Sequence, residues 1–600
     1  MQPPTLDEGY LVRSAQAMMI PGANFEDIER ITASLKRIDA SGLPGLKSLK
    51  LKVLGNITTD YLVDHLRLML VRSGIGASLN AGHYGGLVRG LLGEVALTTH
   101  DCDAAILVLT YRDIQFPPPF GSSASEATEL VAREVEFWTA LIRRSQVPTV
   151  VLSFDLPPYR VLDEQDGLAP GGLGWHVKMV NLEMAGRLPA TTVLVDAESL
   201  QYRLGATGWF DDRLYHLCKQ PFAMEALPEI AHTLVAALLG LLGRGRKVLV
   251  LDLDNTLWGG VVGDDGLHGI ELGPETADGE AYATFQTYVK NLSRRGVILA
   301  VCSKNRDEVA RSPFREHSGM VLKEDDISCF VANFNDKAAN IRHIARSLNV
   351  GLDSLVFVDD NPVERSLIRA ELPEVLVVEL PEDPALYIRA VDASKAFPLR
   401  ALTREDLGRV ASYRAMAVVQ QASAESGTDM EQFLIGLSPV AHVEKIDATT
   451  VDRIVQLIRK TNQFKLNLSA FQENDILGAA RDVIALRLVD RLQDYGIVAI
   501  AVTEPTGEAL QILNWVMSCR VFGRRLENVM LELLMEHAKS RGCGTIQAAH
   551  TGTQKNVIIP DILIRLGFEP TGTAGLYRRP VAHVQSELHH MKITDSRDNL

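Results

Sequence analysis

The sequence predicts a multidomain α/β protein whose last section has an α+β character. Three observations support this fold class. The chain has 600 residues, which is too many for one hydrophobic core. Before about Thr403, short apolar runs alternate with helical patterns, as in parallel sheets covered on both faces. After that residue, neighbouring strands follow one another directly, which indicates the α+β section.

The first part of the chain is predicted to hold a helical segment followed by an α/β domain. Residues 1–45 have the pattern of one or two polar helices, and residues 46–243 begin the strand and helix alternation. The predicted strands are Leu51–Leu54, Ala104–Leu109, Val147–Phe154 and Thr191–Val195, and the predicted helices are Asp60–Ser73 and Ser125–Arg144. These elements favour one parallel sheet.

The second alternation occupies residues 244–400, and the α+β section occupies residues 401–580. The second section has predicted strands at Val248–Leu253, Val297–Ser303, Leu355–Val358 and Val375–Glu379. The third has predicted helices at Asp406–Ala422, Thr450–Lys460 and Arg525–Lys539, and strands at Val483–Asp490, Ile497–Thr503, Leu510–Met517 and Thr545–Ala549. Residues 581–600, with their His589-His590 pair, are expected to form a loose tail.

Composition and charge exclude several classes of protein. The chain is 46% hydrophobic and 23% charged, as in an ordinary globular protein. A net charge of −14 argues against a nucleic-acid binder. The six cysteines show no paired spacing, so neither a disulfide framework nor a zinc signature is predicted. No signal-peptide pattern is present at the start, and the longest apolar run, Leu234–Leu242, is about half a membrane span. We therefore expect a cytoplasmic protein without membrane partners.

The motif VLVLDLDNTLW is the first of four that indicate phosphotransfer chemistry. It places Asp252, Asp254 and Thr256 at the carboxyl end of an apolar strand, the edge of an open α/β sheet where ligands bind. Carboxylates at positions i and i+2 point the same way along an extended chain. Asp252 is therefore the candidate nucleophile, and Asp254 the candidate general acid and base.

The other three motifs supply the remaining groups. AVCSKN ends a strand with Ser303, a candidate donor to the transferring phosphoryl group, and NFNDKAANI supplies Lys337 to neutralise charge in the transition state. VFVDDNPVER supplies Asp359 and Asp360. The predicted Mg²⁺ ligands are Asp252, Asp254, Asp359 and Asp360. Thr256 and Asn305 are candidate substrate-binding residues beside them.

The four motifs in this order resemble the haloacid-dehalogenase superfamily, which implies a Rossmann-like core and Mg²⁺-dependent chemistry. Within that superfamily, an aspartate at position 254 implies phosphotransfer and not dehalogenation. About fifty residues separate Asp252 from Ser303, and 22 separate Lys337 from Asp359, which leaves no room for a cap domain. Cap-less members of the superfamily tend to act on groups carried by macromolecules. Another domain or a docked protein is expected to exclude water from the site.

A longer set of segments resembles the FkbH-like proteins of polyketide biosynthesis over about 90% of the chain. These segments are DLDNTLWGGVVGDDG, CSKN, NDKAANI, DDNPVER, WFDDRLYHLCKQPFAMEALPEIA, KTNQFKLN and LNWVMSCRVFGRRLEN. The resemblance implies an enzyme that takes 1,3-bisphosphoglycerate, removes phosphate and loads a glyceryl unit as a thioester on an acyl carrier protein. The order of dephosphorylation and acyl transfer stays open.

The C-terminal section resembles the GNAT acyltransferase fold. In that fold, a Q/R-x-x-G-x-G/A turn presents backbone N–H groups to pyrophosphate at the start of a helix. Arg520, Gly523 and Arg524 match part of this turn, whereas Arg525 replaces its final small residue. The resemblance implies a phosphopantetheine arm as ligand more than coenzyme A. The alternative is a vestigial scaffold domain.

The N-terminal α/β domain resembles the SGNH hydrolases at Gly55-Asn56, directly after its first strand. The nucleophilic serine of those enzymes is absent, since Ile57, Thr58 and Thr59 follow. We therefore expect a domain without hydrolase activity that docks substrate or carrier protein. His216 is expected to be a packed surface histidine and not a catalytic base.

Two cysteines are candidates for holding an acyl group in transit. Cys302 lies beside Ser303 in the second phosphotransfer motif, and Cys519 precedes the Arg520 loop. Most buried cysteines are inert packing residues, so the covalent role is a hypothesis that depends on how each thiol is exposed.

The sequence thus predicts a glyceryl transferase and phosphatase that serves an acyl carrier protein. One alternative is an Mg²⁺-dependent phosphatase of a small phosphorylated metabolite, which leaves both flanking domains unexplained. A second is a non-catalytic docking protein of a biosynthetic complex, which the intact set of Asp252, Asp254, Ser303, Lys337 and Asp359 disfavours. The final product, the cognate carrier protein and the oligomeric state stay open.

Overall fold

The computed structural model describes the chain in two units. The first comprises Met1–Gly245 with Val391–Arg400, and the second comprises Arg246–Ala390 with Ala401–Leu600. Within these units the structure describes all residues except 1–7, 19–22, 44, 95–96, 400–401, 403, 414, 417–429, 448, 462, 470, 472, 479–480, 554–555, 582–590 and 596–600. The predicted boundary at residue 400 coincides with the end of Val391–Arg400, the short part of the first unit that separates the two stretches of the second unit along the chain.

The first unit is built on a parallel five-stranded sheet. Its strands are β1 (Lys47–Gly55), β2 (Ile75–Ala81), β3 (Ala104–Val108), β4 (Thr149–Leu152) and β5 (Thr192–Val195). The spatial order is β2-β1-β3-β4-β5. The chain therefore changes direction across the sheet between β1 and β3, which makes that pair the topological switch point. Strand β2 was missed from the sequence because only its first residues are buried.

Helices cover this sheet, and most of its core consists of aliphatic side chains. They are α1 (Glu8–Ala17), α2 (Phe25–Leu35), α3 (Asp60–Arg72), α4 (Gly86–Arg89), α5 (Ala124–Ile142), α6 (Leu173–Ala185), α7 (Ala197–Leu204), α8 (Ala206–Trp209), α9 (Asp212–Cys218) and α10 (Leu227–Leu241). Leu11 of α1 and Ile28 of α2 belong to the same buried core as β1 and β3. The predicted helical segment 1–45 therefore packs onto the α/β domain.

Helix α10 is the most apolar helix of this unit. Among the described residues, the segment Met224–Leu241 is the one that could cross a membrane by length and hydropathy, and 61% of it is buried inside the protein. Its side chains Ile230, Leu234 and Leu238 are fully buried in the core. The segment is placed as a core helix of the domain.

The second unit begins with another parallel five-stranded sheet. Its strands are β6 (Val248–Leu251), β7 (Ile298–Ser303), β8 (Ile327–Ala332), β9 (Leu355–Val358) and β10 (Leu376–Val377), in the order β10-β9-β6-β7-β8. Its helices are α11 (Val262–Asp265), α12 (Ala277–Arg294), α13 (Asp307–Glu316), α14 (Lys337–Ser347), α15 (Pro362–Glu371) and α16 (Tyr387–Ala393). Strand β6 lies in the centre between β9 and β7, so the loops that follow these three strands meet at one edge.

The rest of the second unit is a mixed sheet with helices. Its strands are β11 (Val440–Val443), β12 (Phe464–Lys465), β13 (Asp482–Val489), β14 (Asp494–Thr506), β15 (Ala509–Met517), β16 (Thr545–Ala549), β17 (Glu569–Pro570), β18 (Leu576–Pro580) and β19 (Lys592–Asp595). Its helices are α17 (Arg404–Leu407), α18 (Met430–Gly436), α19 (Val451–Lys460), α20 (Glu473–Leu477), α21 (Leu526–Ser540) and α22 (Ile559–Arg565). The strand order is β17-β18-β16-β15-β14-β13-β11-β19, with β12 paired to β15.

The structure confirms a multidomain α/β architecture and corrects two details of the C-terminal section. The loose tail predicted for 581–600 is wrong for β19, which pairs in parallel with β11 along Val440–Val443. The rest of that tail, including His589-His590, lies outside the described residues. Where a helix was predicted at Asp406–Ala422, the short helix α17 ends at Leu407, helical residues resume after Gly408, and most of the second half lies outside the described residues.

Candidate active site

The four predicted phosphotransfer motifs meet at the carboxyl edge of the sheet formed by β6 to β10. Asp252 directly follows β6, Ser303 is the last residue of β7, and Asp359 follows β9. Because β9, β6 and β7 are adjacent and parallel, their ends bring these three side chains together. The sequence prediction of this convergence is confirmed by the position of the strands.

A fourth element, helix α14, supplies Lys337, which contacts both Asp252 and Asp359. It is the first residue of α14, and Asp336 caps that helix by accepting a hydrogen bond from the Ala338 N–H group. The Lys337 ammonium lies 3.0 Å from Asp252 Oδ2 and 2.6 Å from Asp359 Oδ2. Burial alone would lower the pKa of Lys337, but the two carboxylates outweigh burial and hold the pKa above its ordinary value.

Three carboxylates at this edge form a cluster that fits a divalent cation. One oxygen from each of Asp252, Asp359 and Asp360 lies within 4.8 Å of the other two. Asp252 Oδ1 is buried and has no hydrogen-bond partner in the described part of the chain. A buried carboxylate oxygen without a partner is costly unless a ligand satisfies it. Oxygen donors of this kind are the ligands that Mg²⁺ prefers, so the donor set fits Mg²⁺.

The protonation behaviour of the cluster follows from its burial. Desolvation raises the pKa of Asp252 to about 7, with the Lys337 ammonium acting in the opposite direction and Asp359 adding to the rise. Desolvation is also the main reason that the pKa of Asp360 lies above its ordinary value, and the negative charge of Asp359 adds to it. Positive charge placed among these groups would therefore favour their ionised forms.

The Asp254 carboxylate lies outside the cluster of the three other carboxylates. Its Oδ1 accepts hydrogen bonds from the Trp258 indole N–H at 2.9 Å and from the Val262 backbone N–H at 3.0 Å. Its Oδ2 accepts from the Asn305 side chain at 3.3 Å. These bonds aim the carboxylate at the cavity from beside Asp252, a position that suits the predicted role in proton transfer.

The two predicted substrate-binding residues in this section hold carboxylates instead. Thr256 is fully buried, and its hydroxyl lies 3.4 Å from Asp360 Oδ1 and accepts from the Asp360 backbone N–H at 3.2 Å. Asn305 is 6% exposed and positions Asp254. Both are therefore positioning residues, because a side chain that holds its neighbour inside the protein has little surface left for a substrate.

An open cavity of about 180 Å³ lies over the cluster. Its lining residues are Asp252, Asp254, Asn255, Ser303, Lys304, Lys337, Asp360, Asn361 and Glu364. Lys304 and Glu364 form an ion pair of 2.5 Å at the cavity mouth. Asn255, Lys304, Asn361 and Glu364 were not predicted as site residues, although all four lie inside the four motifs. Their position next to the acidic and serine residues was the signal that could have found them.

No cap domain is inserted at this site. Residues 252–276 and 333–354, all of them described, contain only α11, α14, short turns and two isolated bridges, Asp254 with Trp258 and Gly259 with Glu271. Two large apolar side chains at the edge of the motif loops, Phe334 and Val363, are each 72% exposed. The site is therefore open to solvent from these loops and carries apolar surface beside its polar floor.

Cys302 lies on the wrong side of its strand for catalysis, which corrects its predicted role. Successive side chains of a strand point to opposite faces, and Ser303 takes the cavity side. Cys302 is fully buried in an apolar cluster with Ile341 and Phe357. Burial raises the pKa of its thiol far above the ordinary value, so the nucleophilic thiolate is disfavoured. The structure does not support an acyl carrier role for Cys302.

Only part of the predicted phosphopantetheine loop is exposed to a ligand. Gly523 has a φ of +81° and Arg525 a φ of +59°, so the loop makes the left-handed turn that precedes α21. Arg524, however, is 1% exposed and forms an ion pair with Asp490 at 3.0 Å. Arg520 is also buried, and its guanidinium contacts Ser518 and Ser412. The prediction that Arg520 and Arg524 bind a phosphate group is wrong for these side chains as the protein places them.

Strand β12 lies where an extended ligand could otherwise pair with β15. The same edge of β15 pairs with β16 along Ala509–Ile512 and with β12 at Val516 and Met517. On its other side, Leu466 accepts a hydrogen bond from the Thr551 N–H group, which follows β16. The chain itself therefore fills the space between the ends of β15 and β16. This segment belongs to the KTNQFKLN motif, whose Asn462 lies outside the described residues.

The N-terminal domain has no nucleophile at the SGNH-like position. After β1, the Asn56 side chain donates to Asp113 Oδ1 at 2.9 Å and accepts from the Leu87 N–H group. His216 is exposed on α9, with its ring against Tyr215. Asn56 thus joins the loops after β1 and β3.

Comparison with known proteins gives one informative likeness. No protein-family profile and no curated protein matches the sequence. The N-terminal part of a Bacteroides fragilis protein, described as containing a phosphatase domain and crystallised with Mg, is 28% identical; the match covers 63% of this chain and 100% of that one, with a TM-score of 0.55. The chain thus shares the fold of that phosphatase-containing part and, on its own residues, a cluster that suits Mg²⁺.

Two acetyltransferases are similar at a much lower level. The ribosomal-protein-S18-alanine N-acetyltransferase from Escherichia coli is 16% identical, with 25% of this chain and 99% of that chain covered and a TM-score of 0.19. A nourseothricin acetyltransferase is 14% identical, with 24% and 99% covered and a TM-score of 0.18. At these values no conclusion about the C-terminal section follows from the likeness.

Proposed function

We propose that the protein is an Mg²⁺-dependent phosphatase with Asp252 as nucleophile. The observation that carries this proposal is the state of Asp252: one oxygen is bound by Lys337, and the other is buried without a partner under an open cavity. A carboxylate held in this way has a fixed orientation, and its partnerless oxygen faces the space that a cation and a phosphoryl group would share. The likeness to an Mg-bound phosphatase-containing protein supports the same reading.

The chain's own residues account for both halves of the reaction. Asp252 attacks phosphorus, the bond from phosphorus to the leaving oxygen breaks, and Asp254 donates a proton to that oxygen. Asp254 then takes a proton from water, which attacks phosphorus and releases Asp252 and inorganic phosphate. Asp252, Asp359 and Asp360 would hold Mg²⁺, which would supply positive charge to offset the charge of the phosphoryl group.

Three further groups support phosphate binding at this cavity. The Ser303 hydroxyl and the Lys304 ammonium line it, and Lys337 remains beside Asp252 throughout. Lys337 neutralises charge as it develops on the phosphoryl oxygens, which is the electrostatic contribution expected of a preorganised cation. Asp360 is held by Thr256, so its carboxylate keeps the direction that metal binding needs.

The finer part of the proposal concerns the substrate and the partner. We infer that the phosphatase serves the transfer of a glyceryl unit from 1,3-bisphosphoglycerate to the phosphopantetheine arm of an acyl carrier protein, as the FkbH-like motifs imply. The open, cap-less cavity and the exposed Phe334 and Val363 beside it support a substrate carried by a macromolecule. The buried Cys302 favours direct attack of the carrier thiol on the acyl phosphate. The cytoplasmic location stays a prediction.

The decisive experiment is intact-protein mass spectrometry of a holo acyl carrier protein. The carrier is incubated with the enzyme, Mg²⁺ and freshly generated 1,3-bisphosphoglycerate, and a mass gain equal to a glyceryl thioester is expected. A phosphoglyceryl adduct would show acyl transfer without phosphatase action and would remove the assigned role of Asp252. Free phosphate without any adduct would reduce the function to hydrolysis of a small phosphorylated metabolite.

Metal removal separates the phosphatase chemistry from acyl transfer. With EDTA, we expect release of phosphate from an aryl phosphate ester to fall to background and to return when Mg²⁺ is added in excess. The reason is that Asp252, Asp359 and Asp360 repel one another without a cation. Turnover that is unaffected by EDTA would refute the metal site.

A further inference from the structure

The N-terminal domain holds a cationic cluster at the switch point of its sheet, far from the phosphotransfer motifs in sequence. The loops after β1 and β3 meet there, joined by the Asn56 and Asp113 side chains. In open α/β sheets, ligands bind at the carboxyl edge where the strand order reverses. Arg112, in the turn Tyr111–Asp113 after β3, is a cationic side chain at this edge and lies next to Asp113 in the chain.

Two tyrosines fix the plane of the Arg112 guanidinium. Its central carbon lies 4.4 Å from the centre of the Tyr111 ring and 4.0 Å from that of the Tyr215 ring. The Lys219 ammonium lies 4.9 Å from the centre of the same Tyr215 ring. Contact with aromatic faces stabilises these cations and limits the motion of the guanidinium. Both cations therefore contact the same tyrosine ring, in a protein whose net charge is −14.

The hydrogen bonds of Arg112 are only partly used. Its side chain is 18% exposed, and Nη2 lies 3.3 Å from Asp212 Oδ1. Asp212 is 63% exposed, so this pair is in contact with water and is weak. Arg112 Nη1 is buried and has no hydrogen-bond partner among the described residues. Nη2 of Arg112 thus has one weak partner, Asp212, and Nη1 has none among the described residues.

A second unsatisfied group lies in the loop that meets Arg112 from β1. Thr59 is 1% exposed, and its hydroxyl has no hydrogen-bond partner among the described residues. It precedes the 13-residue helix α3 without capping it through its side chain. The neighbouring Thr58 donates its backbone N–H to the Lys219 carbonyl oxygen, which ties this loop to the end of α9. The unsatisfied groups therefore belong to one set of connected loops.

We propose that this cluster, formed by Arg112, Lys219, Tyr111 and Tyr215, is a binding site for a small oxyanion, the phosphate or carboxylate group of a ligand. The anion displaces Asp212 and takes both end N–H groups of Arg112, which a planar oxyanion or phosphate edge can accept as a pair. Asp212 acts as the internal counter-ion in the unliganded protein. The site is distinct from the phosphatase cavity, since none of its members lines that cavity.

The test uses the complete protein in EDTA at constant ionic strength, with inorganic phosphate and acetate as separate titrants in calorimetry. R112Q is expected to weaken binding of the preferred anion at this site at least about tenfold, because the bidentate partner is lost. D212N is expected to tighten it a few-fold, because the competing carboxylate is removed. The matched control R160Q alters an exposed arginine whose pair with Glu164 is itself exposed and should leave binding unchanged.

The two titrants identify the ligand class. Tighter binding of phosphate indicates a phosphate ester, and equal or tighter binding of acetate indicates a carboxylate. Hydrolysis of an aryl phosphate with Mg²⁺ should be the same in R112Q as in the unmodified protein. Anion binding that is unchanged in R112Q, or unchanged or weaker in D212N, would overturn the proposal. If R112Q does not show the melting temperature of a folded protein, the D212N result alone decides whether the proposed anion site exists.

Discussion

Two regions of the second unit bury charged side chains, and they differ in what surrounds the charges. At the end of β6, Lys337 bridges Asp252 and Asp359, but Asp252 Oδ1 has no partner in the described part of the chain and a cavity lies above it. In the C-terminal section, Arg524 pairs with Asp490. The charges at the end of β6 are placed to act on a ligand, whereas the Arg524–Asp490 pair stabilises the fold.

The Asp490 carboxylate is fully used by the protein. Its Oδ1 accepts from the backbone N–H groups of Leu492 and Gln493 at 2.9 and 3.1 Å, and its Oδ2 accepts from Arg524 and from the Tyr495 hydroxyl. Arg524 also donates to Tyr495 and to the Arg520 carbonyl oxygen. A network satisfied in this way specifies structure. The reactive site is therefore marked by a buried atom that has no partner and lies beside open space, and not by buried charge as such.

The largest effect is expected for D252N. The amide keeps the size of the side chain but cannot attack phosphorus, so Mg²⁺-dependent release of phosphate should fall by at least about 1,000-fold. The rate is measured with an aryl phosphate ester and with the glyceryl substrate. The control D264N changes an exposed aspartate of α11 and should keep the rate. Full activity in D252N would place the nucleophile elsewhere.

Substitution of Lys337 by methionine should damage both activity and stability. Without the ammonium, Asp252 and Asp359 remain buried beside each other, and removal of one partner from a buried ion pair typically costs about 3–5 kcal/mol. Denaturant unfolding should show this loss in EDTA and a smaller loss with Mg²⁺, because a bound cation replaces part of the missing charge. Equal losses with and without Mg²⁺ would contradict a cation site at these carboxylates.

The C-terminal ion pair should affect stability without affecting the phosphatase. R524M leaves Asp490 buried without its cation, so the free energy of unfolding should fall by about 3–5 kcal/mol. The adjacent R525Q, at an exposed residue, should change it by less than about 0.5 kcal/mol. Aryl phosphatase activity of the folded protein should be unchanged in both. A specific loss of activity in R524M at full folding would show that this network also serves the reaction.

The smallest effect is a pH dependence in the first unit. Desolvation lowers the pKa of His176 to about 4 and that of His232 to about 3, with the positive charge of Arg72 adding to the latter. A lowered pKa in the folded state means that the unfolded chain binds more protons below about pH 6.5, so stability is lost as pH falls towards 4. H232Q should flatten this slope in thermal unfolding between pH 7 and 4. An unchanged slope would mean that His232 does not contribute.

Local patterns predicted the elements of the molecule well where burial is continuous. The fully buried strand β9 and the change from apolar residues to Asp252 at the end of β6 are both visible in the sequence. The edge of the sheet that carries the site could therefore be predicted. The strands β2 and β8 were missed because β2 is partly exposed, most of β8 is only half-buried, and no clear periodicity marks either strand. The hydrogen-bond partners of Asp254, Thr256 and Arg524 could not be predicted, because a motif gives residue types but not the contacts that those residues make in the fold.

What the sequence alone determined is the chemistry that can occur at the β6 to β10 edge. The order of the four motifs after apolar strands placed Asp252, Ser303, Lys337 and Asp359 together, because parallel strands end at the same edge of a sheet. Tertiary structure decided which oxygen of Asp252 stays unsatisfied, which face of β7 Cys302 takes, and whether Arg524 meets Asp490 or a ligand. These outcomes depend on packing between residues far apart in the chain, which no local pattern encodes.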